Sequence, residues 1–106
     1  MVDREQRLYL TVLLYLKAGQ RDQFHEYERL VKPLIERYGG RFEHVLKPTQ
    51  VMGSLPMPDE IHLLSFPSEE RFQQYRDDPN LPGIAHLRAE SVAETIIISG
   101  VAHQIF

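Results

Sequence analysis

The nine residues from Leu8 to Leu16, LYLTVLLYL, constrain the fold of this chain more than any other stretch. They are apolar at almost every position and rich in aromatic and β-branched types, and their length suits a strand. A strand with one wet face alternates apolar and polar residues, because successive side chains point to opposite faces. This one is apolar on both faces, so it needs cover on both sides and belongs in the middle of a sheet. Two later runs share the property: Glu60 to Phe66, EIHLLSF, and Thr95 to Val101, TIIISGV.

Between the runs the period changes. Gly19 breaks the first strand, and from Arg21 to Tyr38 the residues Phe24, Tyr27, Leu30, Val31, Leu34, Ile35 and Tyr38 fall on one helical stripe. Asp22 and Glu26 lie early and Arg29, Lys32 and Arg37 late, which complements the helix dipole. Glu28 is spaced to pair with Lys32. Pro33 cannot donate to Arg29, which predicts a kink. Gly39-Gly40 leave a helix and enter a strand, so they serve as a helix stop with positive φ. A phosphate-binding loop runs the other way, from strand into helix. Arg41 to Leu46 alternates like a strand near an edge, with Gln50 to Met52 as its extension. Lys47 to Asp59 forms a long proline-rich loop whose Val51, Met52, Leu55 and Met57 need a surface to cover, either a site or a partner. Ser68 after Pro67 is an N-cap for a short helix with Phe72 and Tyr75 inward. The turn DDPN ends that helix, and IAHLRAES supplies a second helical piece.

The order is β-α-β-β-α-β. With short connections and right-handed crossovers it gives an α+β, ferredoxin-like arrangement: one domain over residues 1–106 with a four-stranded antiparallel sheet. Helices cover one face of such a sheet. The other face is also apolar here, so the expected cover is a second copy of the chain, a homodimer packed sheet to sheet, with the tail AHQIF continuing the last strand or crossing to the partner.

Composition narrows the function. The 106 residues carry a formal net charge of −3 with Lys and Arg scattered among acids, which disfavours nucleic acid as a partner. No cysteine is present, which excludes disulfides, thiolate metal sites and cysteine nucleophiles. The opening MVDREQRLYL lacks the apolar core of a signal peptide, and Leu8 to Leu16 is too short to span a bilayer. No membrane association and a cytoplasmic location are expected.

Three stretches resemble a known family: FHEYERLVKPLIERYGGRF (Phe24 to Phe42), LLSFPSEERFQQYRDDPNL (Leu63 to Leu81) and LRAES (Leu87 to Ser91). Tyr38 to Arg41, Phe66 to Ser68, Tyr75 and Arg88 are the marker positions. They look like the domain of unknown function 1330, within the dimeric α/β-barrel superfamily. The resemblance implies a ferredoxin-like fold and a dimer, and it brings no settled activity. The superfamily includes cofactor-independent monooxygenases, lactone isomerases, dehydratases and haem enzymes. Where the family often places a Glu before Phe-Pro-Ser, this chain has Ser65.

The five histidines are widely spaced, and HEYER (His25 to Arg29) has Arg29 where a zinc-protease motif needs its second histidine, so no metal and no cofactor are expected. His62, on a central strand with Leu64 and Phe66, is the acid–base candidate; its plainer role is an imidazole packed against a hydrogen-bonding neighbour. Arg88 is the candidate anion anchor, or else a salt-bridge partner of Glu90, Glu94 or a residue of the second copy. Tyr15, Tyr27 and Tyr75, with His86, are the candidate pocket lining, although His86 and Arg88 would not share a helix face. The acid pairs, Asp59-Glu60 among them, read as solvated or capping groups. The expected function is a small organic ligand held in a cleft between sheet and helices, with cofactor-independent proton transfer or oxygenation as its chemistry. The alternative is a non-catalytic binding or interaction module whose dimer is the functional unit.

Overall fold

Strand β1 (Leu8–Leu16) lies between β3 (Glu60–Phe66) and β4 (Val92–Val101), antiparallel to both. The computed structural model describes residues 6–105, so Phe106 of the tail lies outside the described residues, as do residues 1–5. Helix α1 (Arg21–Arg37) leads into edge strand β2 (Arg41–Leu46), and the second crossover consists of two short helices, α2 (Glu69–Arg76) and α3 (Ala85–Ser91). The sheet order β2-β3-β1-β4 is that of a ferredoxin-like α+β fold. The two strands with the strongest two-sided apolar patterns occupy its centre. Among the described residues no helix is long and apolar enough to cross a membrane.

Register sorts the side chains into two faces. Leu10 pairs with Leu64 and Ser99, Val12 with His62 and Ile97, and Leu14 with Glu60 and Thr95. These side chains share the helix-covered face, where Leu8, Leu10, Val12 and Leu14 pack with Phe66 and with Phe24, Val31 and Ile35 of α1. Full burial of each such side chain contributes about 1.5–3 kcal/mol. Tyr9, Thr11, Leu13 and Tyr15 point to the opposite face, together with Ile61, Leu63, Ser65, Ile96 and Ile98. Among the described residues no helix covers that face, and Ile98 is 60% exposed there.

Residues 47–59 close one end of this open face. Asp59 is clipped to β1 twice: its N–H donates to the Leu14 carbonyl at 2.8 Å and its Oδ2 accepts from the Leu16 N–H at 2.7 Å. Gln50 to Met52 do not extend β2; the chain there is irregular, and Pro48 cannot donate to a ladder. The register of β2 against β3 shifts between Phe42 and His44, which breaks the expected alternation and leaves Phe42 the half-buried residue of the strand. The freed Glu43 accepts a hydrogen bond from Ser65 Oγ, which itself accepts from Arg7 Nε at 2.8 Å. Ser65 therefore belongs to the open face, and a neighbouring strand brings it a carboxylate.

Two other local expectations, the Ser68 cap and the Gly39 stop, are met. Ser68 Oγ accepts from the Arg71 N–H at the start of α2. Pro33 sits on the exposed side of α1, and the helix continues past it to Arg37. Gly39 ends that helix at φ 80°. Gly40 is required for a different reason: an added Cβ would lie 2.5 Å from Ile35 Cγ2 and 2.8 Å from Phe66 Cε1. Gly40→Ala is expected to cost about 1–3 kcal/mol, the range of overpacked cores. Gly83→Ala, whose nearest neighbour would be 3.6 Å away, should stay within about 0.5 kcal/mol of wild type. Urea unfolding of both variants checks the pair.

Candidate functional site

The alternation of β3 turns Glu60, His62, Leu64 and Phe66 toward the helices. His62 is 5% exposed, with the rings of Phe24 and Phe42 centred 6.0 and 5.8 Å from its own. Its Nε2 lies 2.8 Å from Glu60 Oε1 and 2.9 Å from Glu28 Oε2. Ionised carboxylates only accept, so Nε2 carries a hydrogen and shares it between them. Around the same carboxylates, Glu60 Oε2 accepts from Arg21 Nη1 at 3.1 Å and lies 3.1 Å from His25 Nε2. Arg21 also reaches Asp59 at 3.6 Å. Burial works against charge on His62, but the hydrogen bonds and negative charges of Glu28 and Glu60 outweigh it and hold the pKa above its ordinary value.

This network corrects two expectations. Glu28 does not pair with Lys32, which bonds Glu36 instead at 2.7 Å. Glu60 is not a solvated turn residue but is 7% exposed inside the fold. Both positions were marked by period: Glu28 lies four residues after Phe24 and three before Val31, on the buried stripe, and Glu60 lies two before His62 on the same strand face. His25, Glu28 and Glu60 also present ligand atoms within 4.8 Å of one another, a set able to hold a cation. Arg21 Nη1 already occupies Glu60 Oε2 at 3.1 Å, so a metal there would have to displace Arg21.

Beside the network lies a cavity of about 130 Å³ between the sheet and α1, α2 and α3. Leu10, Val12, Val31, Leu64 and Phe72 give it apolar walls, and Glu28 and His62 form its polar side. At its other end Tyr27, Tyr75, Arg88 and Ile97 also line a wider surface groove beside α2 and α3, and they form the mouth. Arg88 Nη2 donates to Thr95 Oγ1 at 2.6 Å. Among the described residues no carboxylate forms an ion pair with Arg88, so the salt bridge to Glu90 or Glu94 is not formed within the chain. Burial and the neighbouring hydroxyl push the Tyr75 phenol pKa up, while Arg88 pulls it down; burial likewise raises that of Tyr27. Both phenols therefore stay protonated at neutral pH and can donate.

Of the six candidate residues, four gather at this cavity: His62 deep within it, and Tyr27, Tyr75 and Arg88 at its mouth. Tyr15 does not join them. It follows Leu14 on β1 and so points to the open face, where its hydroxyl donates to the Pro56 carbonyl at 2.8 Å. His86 does not join them either. Two residues from Arg88 on α3, it falls on the exposed side of the helix and lines neither cavity nor groove.

Architecture and cavity together define a ferredoxin-like protein with a sheet–helix pocket. The chain belongs to the family described as a domain of unknown function (DUF1330), whose model matches residues 10–101. Among solved structures it is similar to RPA0582, a protein of unknown function from Rhodopseudomonas palustris. The two share 19% identity and a TM-score of 0.83, over 97% of this chain and 87% of that one. A dimeric ferredoxin-like protein of unknown function from Thermobifida fusca matches at 12% identity and a TM-score of 0.64, over 96% of each chain. SnoaB, a cofactor-independent oxygenase from Streptomyces nogalater, matches at 10% identity and a TM-score of 0.68, over 94% of this chain and 96% of that one. At such identities the likeness is one of fold. Among curated proteins none matches significantly.

The raised pKa of His62 carries a stability signature. The group gains stability from being charged when folded, so its contribution is complete below the ordinary pKa of about 6.5 and is lost as pH rises through the folded value. The urea midpoint should therefore fall from near pH 6 toward the alkaline side of the His62 titration. His62→Gln should lose that slope, and following the His62 ring signal by NMR fixes the midpoint.

Proposed function

We propose that the protein binds a small, mostly apolar organic anion in the sheet–helix cavity and moves a proton on it without a cofactor. One observation carries the reading: a cation and two phenol donors stand at the mouth of an apolar cavity whose far side holds a carboxylate–imidazole pair. Arg88, free of any intrachain carboxylate among the described residues, anchors the anionic end, and Tyr27 and Tyr75 donate to it. The volume suits one ring, being close to that of a 150 Å³ cavity that admits benzene. At the inner end the Glu28 carboxylate, oriented by His62 Nε2–H, takes a proton from a carbon or hydroxyl of the ligand. The electron pair stays on the ligand as a delocalised anion. Return of the proton to another atom completes an isomerisation; in the oxygenase outcome the anion adds O2, forming a carbon–oxygen bond, and the resulting peroxide takes the proton back from Glu28 as a hydroperoxide. The cofactor-independent oxygenase of similar fold makes that second outcome chemically accessible on such a scaffold.

The rival is a non-catalytic module, for which the cavity binds and does nothing more. Single-ring carboxylates and phenols, screened by NMR chemical shift, separate the two readings. A ligand should perturb His62, Tyr27 and Tyr75, and Arg88→Ala should weaken it about 10–100-fold, the worth of one charged hydrogen bond. Glu28→Gln should keep binding within a few-fold and slow solvent-deuterium incorporation into the ligand about 100-fold or more. Binding without any incorporation supports the module, and no binding by any probe removes the proposal.

The same reading includes self-association, a dimeric α/β barrel formed by two copies meeting through their open sheet faces. Ile61, Leu63, Ile96 and Ile98, around the buried Leu13, supply an apolar patch, and the Thermobifida fusca protein of similar fold is described as dimeric. Ile98→Glu, which puts a charge in that patch, should shift the sedimentation coefficient from dimer to monomer. An unchanged wild-type monomer would remove this part.

A further inference from the structure

For the abstracted proton to exchange with solvent before it returns to the ligand, the buried pair needs a way out, and the geometry points to one. We infer that His25 is the solvent port of that pair, exchanging protons between bulk water and His62 through the Glu60 carboxylate. The inference rests on the proton-transfer reading for its purpose, but its geometry stands without a ligand.

The His25 side chain is 51% exposed, whereas that of His62 is 6% exposed. His25 opens on a second groove, on the β2 side of α1, which Glu28 also lines and which is distinct from the mouth at Arg88. One carboxylate joins the two rings: Glu60 Oε1 lies 2.8 Å from His62 Nε2, and Glu60 Oε2 lies 3.1 Å from His25 Nε2. Glu28 spans the same gap less closely, at 2.9 Å from His62 and 3.9 Å from His25. The step balances as a single proton. His25 first gives up its Nε2 hydrogen and takes the neutral tautomer with the hydrogen on Nδ1; His62 Nε2–H then passes to Glu60 Oε1, and a half-turn of the neutral carboxyl presents it to the bare His25 Nε2. His25 then releases a proton to water from Nδ1, and Glu60 is again a carboxylate. Nothing is oxidised or reduced. Arg21 contacts both Glu60 Oε2, at 3.1 Å, and Asp59, at 3.6 Å. Lys47, Arg29 and Lys32 are the other cations along the outer groove. His25 touches no ligand in this scheme; it acts through Glu60 and His62.

The test needs no substrate, so its failure is separable from failure of the proposed function. In nitrogen-15-labelled protein, the His62 Nε2–H signal is assigned by its loss in His62→Gln, and its exchange with water is measured near neutral pH. His25→Gln should slow that exchange at least tenfold, and added imidazole should restore it. His44→Gln, at an exposed position on β2, should change nothing. An exchange rate that is unchanged or faster in His25→Gln, or a signal equally broadened in both proteins, overturns the inference. So does equal slowing in His44→Gln.

Discussion

A carboxylate cannot enter an apolar interior alone, and the burial of Glu60 at the end of a central strand sets much of what surrounds it. The desolvation cost of an unpaired charge is several kcal/mol, so the fold must bring hydrogen-bond donors to Glu60 from elsewhere. They come from the strand itself in His62 and from α1 in Arg21 and His25. The first two turns of α1 are therefore fixed over the strand by polar contacts as well as by Phe24. Removing one partner would leave the others charged and unsatisfied, which is why the cluster acts as a unit rather than as a sum of pairs.

The same arrangement explains why a cavity persists beside the core. A wholly apolar gap in a small domain tends to close, because its lining atoms gain contacts by moving inward. Here Glu28 and His62 are tied to each other, His62 is tied also to Glu60 outside the cavity, and Arg88 is tied to Thr95 at the mouth. Polar walls that are already satisfied have no reason to collapse into the space. The volume that remains is the portion of the sheet–helix layer that side chains do not fill, bounded by groups able to orient a guest.

The fold was legible because it depends on patterns longer than any residue. Two-sided apolar strands, one helical stripe and a Gly-Gly stop place β1, β3 and α1 with little freedom, and the ferredoxin-like order follows. The site was legible in part. His62 announced itself as a polar residue on an apolar strand, whereas Glu28 and Glu60 were hidden by their type. Acids at a helix position with a lysine one turn on, or beside a turn, have an ordinary solvent-facing role, and composition gives no reason to look further. Strict period would have corrected both, since each sits in step with buried neighbours. It would also have removed Tyr15, which is out of step with Leu14. The bulge at Glu43 and the irregular Gln50 to Met52 lay beyond such reasoning, because both turn on tertiary pairing with β3 and on a proline's missing donor.

Asp59 and Glu60 are adjacent, yet they serve opposite sides of the molecule. Asp59 pins the loop that overlies the open face, Glu60 holds the buried network, and one guanidinium, that of Arg21, touches both. A displacement of the loop by anything that seats on the open face therefore acts on the network through one peptide unit and one shared cation. By thermodynamic reciprocity, any cavity occupant that shifted the network would act on the loop and the open face to the same degree. The two surfaces of this sheet thus meet at one peptide unit and one shared cation.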